Sequence, residues 1–206
     1  MNINKYKVIL WDFDGVIIDS DLIRVFGFKK VLDNYPENQV ELLIDYHNRN
    51  GGLSRYVKFR YFFEKIRKES ITDEKVNQLA NLFSEIMKVK LVDSKLLINE
   101  TIGFINSQFK LGKEMHIVSG SDQKELRGLC SQLGIDNFFI SINGSPTPKT
   151  KLVENIIKNS NSSKSNYCLI GDAINDFDAA QQNEIKFYGY NNVSLKKLDG
   201  YINNFY

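Results

Sequence analysis

The sequence predicts an α/β protein, a doubly wound parallel-sheet core carrying an inserted α-helical cap. Three observations lead there. A short apolar run, Tyr6 to Trp11, ends directly in the acidic turn Asp12-Phe-Asp-Gly15. From about residue 93 onward, apolar runs of strand length alternate with segments of helical spacing, the pattern of βαβ units. Residues 20 to 92 break that alternation and read as helix after helix.

In chain order, Tyr6 to Trp11 (YKVILW) is apolar enough for a central strand buried on both faces. The helical stretch follows at about 21–34, 37–48, 54–68 and 73–88, with breaks at Gly51-Gly52 and Ser70-Ile-Thr-Asp73. Ser94 to Phe109 places Leu97, Thr101, Phe104, Ile105 and Phe109 at helical spacing and stops before Gly112. Met115 to Val118 is a strand leading into Ser119-Gly120-Ser121-Asp122, with Gly120 and Ser121 opening a helix; the helical spacing itself runs over about Gln123 to Leu133 and ends at Gly134. Asn137 to Ile142 reads as the third strand and Pro148 to Lys158 as a helix with proline in its first turn. Tyr167 to Ile170 and Ile185 to Tyr190 are further strands, separated by a helix from about Asn175, and Leu195 to Tyr206 is expected as a closing helix. The expected division is 1–19 and 93–206 for the catalytic core and 20–92 for the cap.

Composition narrows the partners. The 206 residues fit one ordinary domain, or one with a sizeable insertion. A net charge of +2 gives no global reason to expect nucleic acid or an anionic membrane, and no apolar run is long enough to span a bilayer. The N-terminal segment reaches a polar turn too soon for a secretory signal. Cys130 and Cys168 lie in expected core elements, so two buried thiols in a reducing cytoplasm are expected. Monomer or weak homodimer is the expected state.

Four strand ends carry chemistry. Asp12 and Asp14 repel one another at the end of a buried strand, and a hard divalent cation removes that cost; an isolated D-x-D-G could equally be an acidic turn. Ser119 with Gly120 and Ser121 offers a hydroxyl and backbone N–H groups to a phosphate, or a plain helix cap. Gly144-Ser-Pro-Thr-Pro-Lys149 puts a cation in the first turn of a helix, where the macrodipole disfavours it by about 0.3–1 kcal/mol. An anion opposite Lys149 would explain it, with Lys151 as the rival. Gly171-Asp-Ala-Ile-Asn-Asp176 supplies Asp172 at a strand end and Asp176 near a helix start, either of which could hold a metal, although Asp172 or Asn175 could merely cap the helix. Asp178 reads as a solvated acid.

These motifs, in this order, resemble the haloacid dehalogenase superfamily: D-x-D-G-V at Asp12 to Val16, Ser119 after a hydrophobic strand, the G-S-P-x-x-K lysine at Lys149, and G-D-x-x-x-D at Gly171 to Asp176. The helical insertion falls where members similar to β-phosphoglucomutase and phosphoglycolate phosphatase carry a cap. The resemblance implies a Rossmann-like core and a Mg2+-dependent phosphatase for a small phosphorylated metabolite, such as a sugar phosphate. It implies Asp12 as nucleophile, forming an aspartyl-phosphate, and Asp14 as acid/base. Mg2+ would be held by the Asp12 and Asp172 carboxylates and the Asp14 carbonyl, with Asp176 direct or through water. Ser119, the Gly120 N–H and Lys149 would stabilise phosphoryl oxygens. An acid at position 14 argues for phosphoryl transfer, since dehalogenating relatives lack it. A phosphomutase is the alternative, and a non-catalytic binding protein is a third reading.

The cap is expected to select the substrate. Ser54 can cap a helix whose Tyr56, Phe59, Phe63 and Ile66 form an apolar stripe, leaving Arg55 and Lys58 on a second flank with Phe62. That flank reads either as a basic patch facing the active site or as a solvated basic surface. His47 and Arg49 are weaker candidates.

Overall fold

The computed structural model describes residues 3–205. Six parallel strands form one sheet: β1 (Val8–Trp11), β2 (Glu114–Asp122), β3 (Ser141–Ser145), β4 (Tyr167–Gly171), β5 (Lys186–Tyr190) and β6 (Tyr201–Ile202). Their order is β3-β2-β1-β4-β5-β6, so the strand sequence reverses between β1 and β4. Ligands of open α/β sheets bind at such a reversal, beyond the carboxyl ends of the strands. Trp11 pairs in register with Ile117 of β2 and with Ile170 of β4, which brings Asp12 level with the ends of both neighbours.

The apolar run of β1 is explained by burial on both sides. Ile9 and Trp11 belong to one hydrophobic cluster, while Val8 and Leu10 belong to the other, following the two-residue period of a strand. The first cluster does not stop at the sheet. It runs into α1 (Asp21–Val31), α2 (Glu37–Arg49), α3 (Arg55–Tyr61) and α4 (Asp73–Lys90) through Phe28, Leu43, Phe59, Phe83 and Met87. Phe28, for example, sits 4.6 Å from Phe83 and 5.4 Å from Phe59, centroid to centroid. Each such ring stabilises the packing by about 1.5–3 kcal/mol relative to exposure.

The helical block matches the sequence expectation in place and number. Ser54 caps α3 by accepting from the Val57 N–H, and α3 continues as a π-helical segment, Phe62–Arg67. The two chain crossings that join the block to the sheet run side by side: Asp19 N–H donates to the Leu96 carbonyl and Ile98 N–H to the Ile17 carbonyl.

Four expectations shift. The helix α5 (Asn99–Lys110) starts later than expected, after a single 3-10 turn at Ser94–Leu96. β2 continues past the expected Val118 through Ser119, Gly120 and Ser121, so these residues do not open a helix; α6 (Gln123–Gln132) starts at Gln123 as expected, capped by the Asp122 carboxylate on the Lys124 and Glu125 N–H groups. β3 lies at Ser141–Ser145 rather than 137–142, because Phe138 turns into a 3-10 helix and packs edge-on against Phe109. The expected closing helix from Leu195 is instead a 3-10 segment, Val193–Lys197, followed by β6; Gly200 at φ +104° turns the chain there, and Tyr206 lies outside the described residues. After β3 and β4, α7 (Lys149–Lys158) and α8 (Ile174–Gln182) fall close to where the sequence puts them.

Candidate active site

Four strand ends meet at Asp12. The Lys149 ammonium, from the first turn of α7, lies 2.8 Å from Asp12 Oδ1 and also bonds the Asp176 carboxylate of α8. All three side chains are nearly fully buried. This accounts for a cation at a helix N-terminus, since two carboxylates outweigh the macrodipole. Lys151 is exposed and pairs with Glu154 on its own helix. Asp172, at the end of β4, faces Gly15. That glycine adopts φ +72°, and any Cβ on it would overlap the Asp172 carboxylate.

The carboxylates of Asp12, Asp172 and Asp176 each offer an oxygen within 4.8 Å of the others. Burial, with the Asp176 charge beside it, pushes Asp12 up to about 8 against the pull of Lys149. Burial and the Asp12 and Asp176 charges likewise raise Asp172 well above the usual carboxylate range. Burial alone would lower Lys149, but the two carboxylates hold it above its ordinary value. Three clustered carboxylates, Asp172 half-buried and the other two buried on one ammonium, are therefore short of positive charge. The Asn175 side-chain oxygen is also buried without a hydrogen-bond partner. A hard divalent cation with its waters fits this donor set.

Asp14 points elsewhere. Its carboxylate accepts from Ser20 Oγ, from Ser121 Oγ at 2.6 Å and from Arg24 Nε at 2.9 Å. Burial opposes its charge, but Arg24 and the two hydroxyls outweigh it and hold Asp14 at about 2, fully ionised at neutral pH. Arg24 also donates to Glu125 Oε1 at 2.7 Å, and Arg55 holds both Glu125 oxygens at 2.6 and 2.8 Å. An unbroken chain of charge thus runs from Asp14 through Arg24 and Glu125 to Arg55.

Ser119 is buried and accepts from the Ser121 N–H at 3.0 Å. Gly120 is pressed against the Gly51-Gly52 loop, where a Cβ would overlap the Gly52 carbonyl oxygen. The loop therefore lies directly over the strand end. Beneath it is an inner cavity of about 40 Å³ lined by Asp12, Asp14, Ser119, Gly120, Arg55 and Lys58, among others. Arg55 and Lys58 are both buried in this cavity, so the reading of a solvated basic surface does not hold. Neither is idle. Arg55 is taken by Glu125 and by Ser84 Oγ at 2.7 Å, and Lys58 bonds His47 Nδ1 at 2.7 Å and the Gly51 carbonyl at 3.1 Å. Burial, only partly offset by Asp14, lowers Lys58 to about 7 and His47 to about 3, so His47 is neutral and accepts.

The sequence reading brought Asp12, Asp14, Ser119, Gly120, Lys149, Asp172 and Asp176 to one end of the sheet, and the structure puts all seven there. It missed Ser20, Arg24 and Ser121 as partners of Asp14, and Glu125 as the second partner of Arg24. Arg24 carried one signal, a cation a single turn after Asp21 on an early helix; Glu125 looked like an ordinary first-turn acid. It also missed Asn191 and Asn192, whose side-chain amides donate to the Gly15 carbonyl at 3.0 Å and the Asp172 carbonyl at 2.7 Å.

The fold is a doubly wound α/β one whose sheet reverses at an acidic, lysine-bearing strand end beneath a block of helices. The family of haloacid dehalogenase-like hydrolases matches residues 9–190, and the chain belongs to that family. Solved structures agree on the fold. A predicted phosphoglycolate phosphatase from Haemophilus somnus 129PT superposes with TM-score 0.76 at 16% identity, over 97% of this chain and 95% of that one. β-Phosphoglucomutase from Clostridium difficile gives 0.75 at 19% identity, over 97% and 91%. CbbY from Rhodobacter sphaeroides, in complex with xylulose-(1,5)bisphosphate, gives 0.77 at 11% identity, over 97% and 94%. No curated protein matches the chain by sequence. Among the described residues no helix is long and apolar enough to cross a membrane.

Proposed function

We propose that the protein is a phosphatase that hydrolyses a small phosphorylated metabolite, such as a sugar phosphate, through an aspartyl-phosphate on Asp12. The carrying observation is the 2.8 Å contact of Lys149 with Asp12 beside Asp172 and Asp176. Asp12 Oδ attacks phosphorus, its bond to phosphorus forms as the ester P–O bond breaks, and water later cleaves the acyl-phosphate. Asp12, Asp172 and the Asp14 carbonyl would hold Mg2+, with Asp176 close by. Bound there, the metal would neutralise phosphoryl charge and let an anionic nucleophile approach. Lys149, Ser119 Oγ and the Gly120 N–H stabilise the phosphoryl oxygens in the transition state.

Asp14 exchanges the proton. The leaving alkoxide needs a donor and the attacking water needs an acceptor, and one carboxyl group can serve both in turn. Clamped by Arg24, Asp14 is in its acceptor form. Donation requires it to turn from Arg24 toward the substrate and to take up a proton from water, which leaving the guanidinium favours because burial without a cation raises a carboxyl. Residues 20–92 act as a cap in this reading, hinged at the paired crossings near Asp19 and Leu96 and bringing the Gly51-Gly52 loop over the site. Arg55 and Lys58 shape the closed end of the cavity.

The phosphomutase alternative requires a bisphosphate to reorient inside the site. Incubation with hexose phosphates and Mg2+ tests it: inorganic phosphate as product supports the phosphatase, and an isomeric hexose phosphate supports the mutase.

A further inference from the structure

A second, larger cavity lies outside the Gly51 loop. Its volume is about 610 Å³, within the ~300–1,000 Å³ typical of metabolite sites. It is bounded by Asn48 and Arg49 at the end of α2 and by Asn191, Asn192 and Lys197 after β5. Asp21, His47, Gly51 and Asp172 border both this cleft and the inner cavity. The cleft therefore reaches the reacting centre through Asp172.

Its far wall is fastened to the catalytic segments. Asn191 holds a left-handed backbone, φ +55°, and its side-chain amide donates to the Gly15 carbonyl, while that of Asn192 donates to the Asp172 carbonyl. Asparagine tolerates that conformation better than most residues, and such a geometry persists where the surroundings fix it. The wall is thus registered to the turn after β1 and to the end of β4.

Charge separates the two cavities. In the inner one, Arg24 and Arg55 are neutralised by Asp14 and Glu125, and Lys58 is held by His47 and the Gly51 carbonyl. In the outer cleft, Arg49 and Lys197 are both exposed, and among the described residues neither forms a salt bridge. Arg49 bonds only the Asp45 carbonyl, through Nε, which leaves the rest of its guanidinium available.

We propose that the outer cleft seats the leaving group of the phosphate ester, and that Arg49 and Lys197 select esters whose leaving group carries a further anionic group. This rests on the phosphatase reading. A carboxylate and a second phosphate share the required chemistry.

The test compares the wild type with the Arg49→Ala/Lys197→Ala variant on three esters: β-glycerophosphate (neutral leaving group), 6-phosphogluconate (carboxylate) and fructose 1,6-bisphosphate (second phosphate). The wild type should favour one or both anionic esters. The variant should lose about 10-fold or more in kcat/KM on the favoured ester, as for a lost charge-assisted contact, with β-glycerophosphate almost unchanged. Which ester is favoured identifies the anionic group. No preference in the wild type, equal losses on charged and neutral esters, or a selective loss in Lys58→Ala instead, would overturn the proposal. If the wild type hydrolyses none of the three, the phosphatase reading fails, and calorimetric titration with 6-phosphogluconate and fructose 1,6-bisphosphate decides the cleft alone. Binding that the double variant loses supports it; binding that is unchanged, or absent in the wild type, overturns it.

Discussion

Arg24 Nε lies 2.9 Å from Asp14 Oδ1, and the same guanidinium reaches Glu125 at 2.7 Å. One buried cation thus joins the carboxylate two residues after Asp12 to the first turn of α6. Arg24→Met strands both acids, at a cost of about 3–5 kcal/mol for breaking a buried pair, toward the lower end because Arg55 still holds Glu125. Urea denaturation checks it; a loss under about 1 kcal/mol would mark the network as solvent-screened.

The same clamp gives a pH dependence. Asp14 is held at about 2 against an ordinary 3.8, so its contribution to stability is present above 3.8 and is lost as pH falls through about 2. The stability difference between the wild type and Asp14→Asn should therefore shrink over that window. In kinetics, Asp14→Asn should slow esters with poor leaving groups far more than p-nitrophenyl phosphate, whose leaving group hardly needs a proton. Equal losses on both would count against the acid/base role.

Much of this site was legible in the sequence because each piece follows a strand or opens a helix. Asp12, Ser119 and Asp172 follow apolar runs, and Lys149 follows two prolines; such local signals survive without tertiary information. The clamp on Asp14 was not legible, because Arg24, Ser121 and Glu125 come from distant segments that only the fold brings together. The misplaced elements have local causes too. The run Asn137 to Ile142 is only strand from Ser141 on; its first part is apolar because Phe138 packs against Phe109 from a 3-10 turn. After Leu195, Gly200 turns the chain back so that Tyr201 pairs with Gly189 in the sheet, a long-range contact that no helical period announces.

Lys149→Ala should cost about 3–4 kcal/mol of transition-state stabilisation, the scale of removing a preorganised donor from a dry site. Lys151→Ala, which breaks only an exposed pair with Glu154, should stay within about 0.5 kcal/mol in stability with near-normal kinetics. Steady-state kinetics on one ester ranks the two, and the opposite ranking would shift the motif by two residues.

Lys58 makes a pH prediction of the same sign as Asp14, in an alkaline window. Burial lowers it to about 7 from 10.5, so between those values the unfolded chain binds more protons than the folded one. Wild-type stability, measured against Lys58→Met, should rise with pH across that window and stay level below about 7. A difference independent of pH would show that Lys58 is solvated.

Phosphoryl capture on Asp12 is the most direct test of the central claim. Wild-type protein mixed with Mg2+ and a hydrolysed ester, quenched in acid within a turnover, should gain the mass of one phosphoryl group, located on Asp12 by peptide mapping. Asp12→Asn should gain none and release no phosphate while keeping its fold by circular dichroism. Phosphate release with no trapped adduct across quench times, together with full activity in Asp12→Asn, would contradict the account.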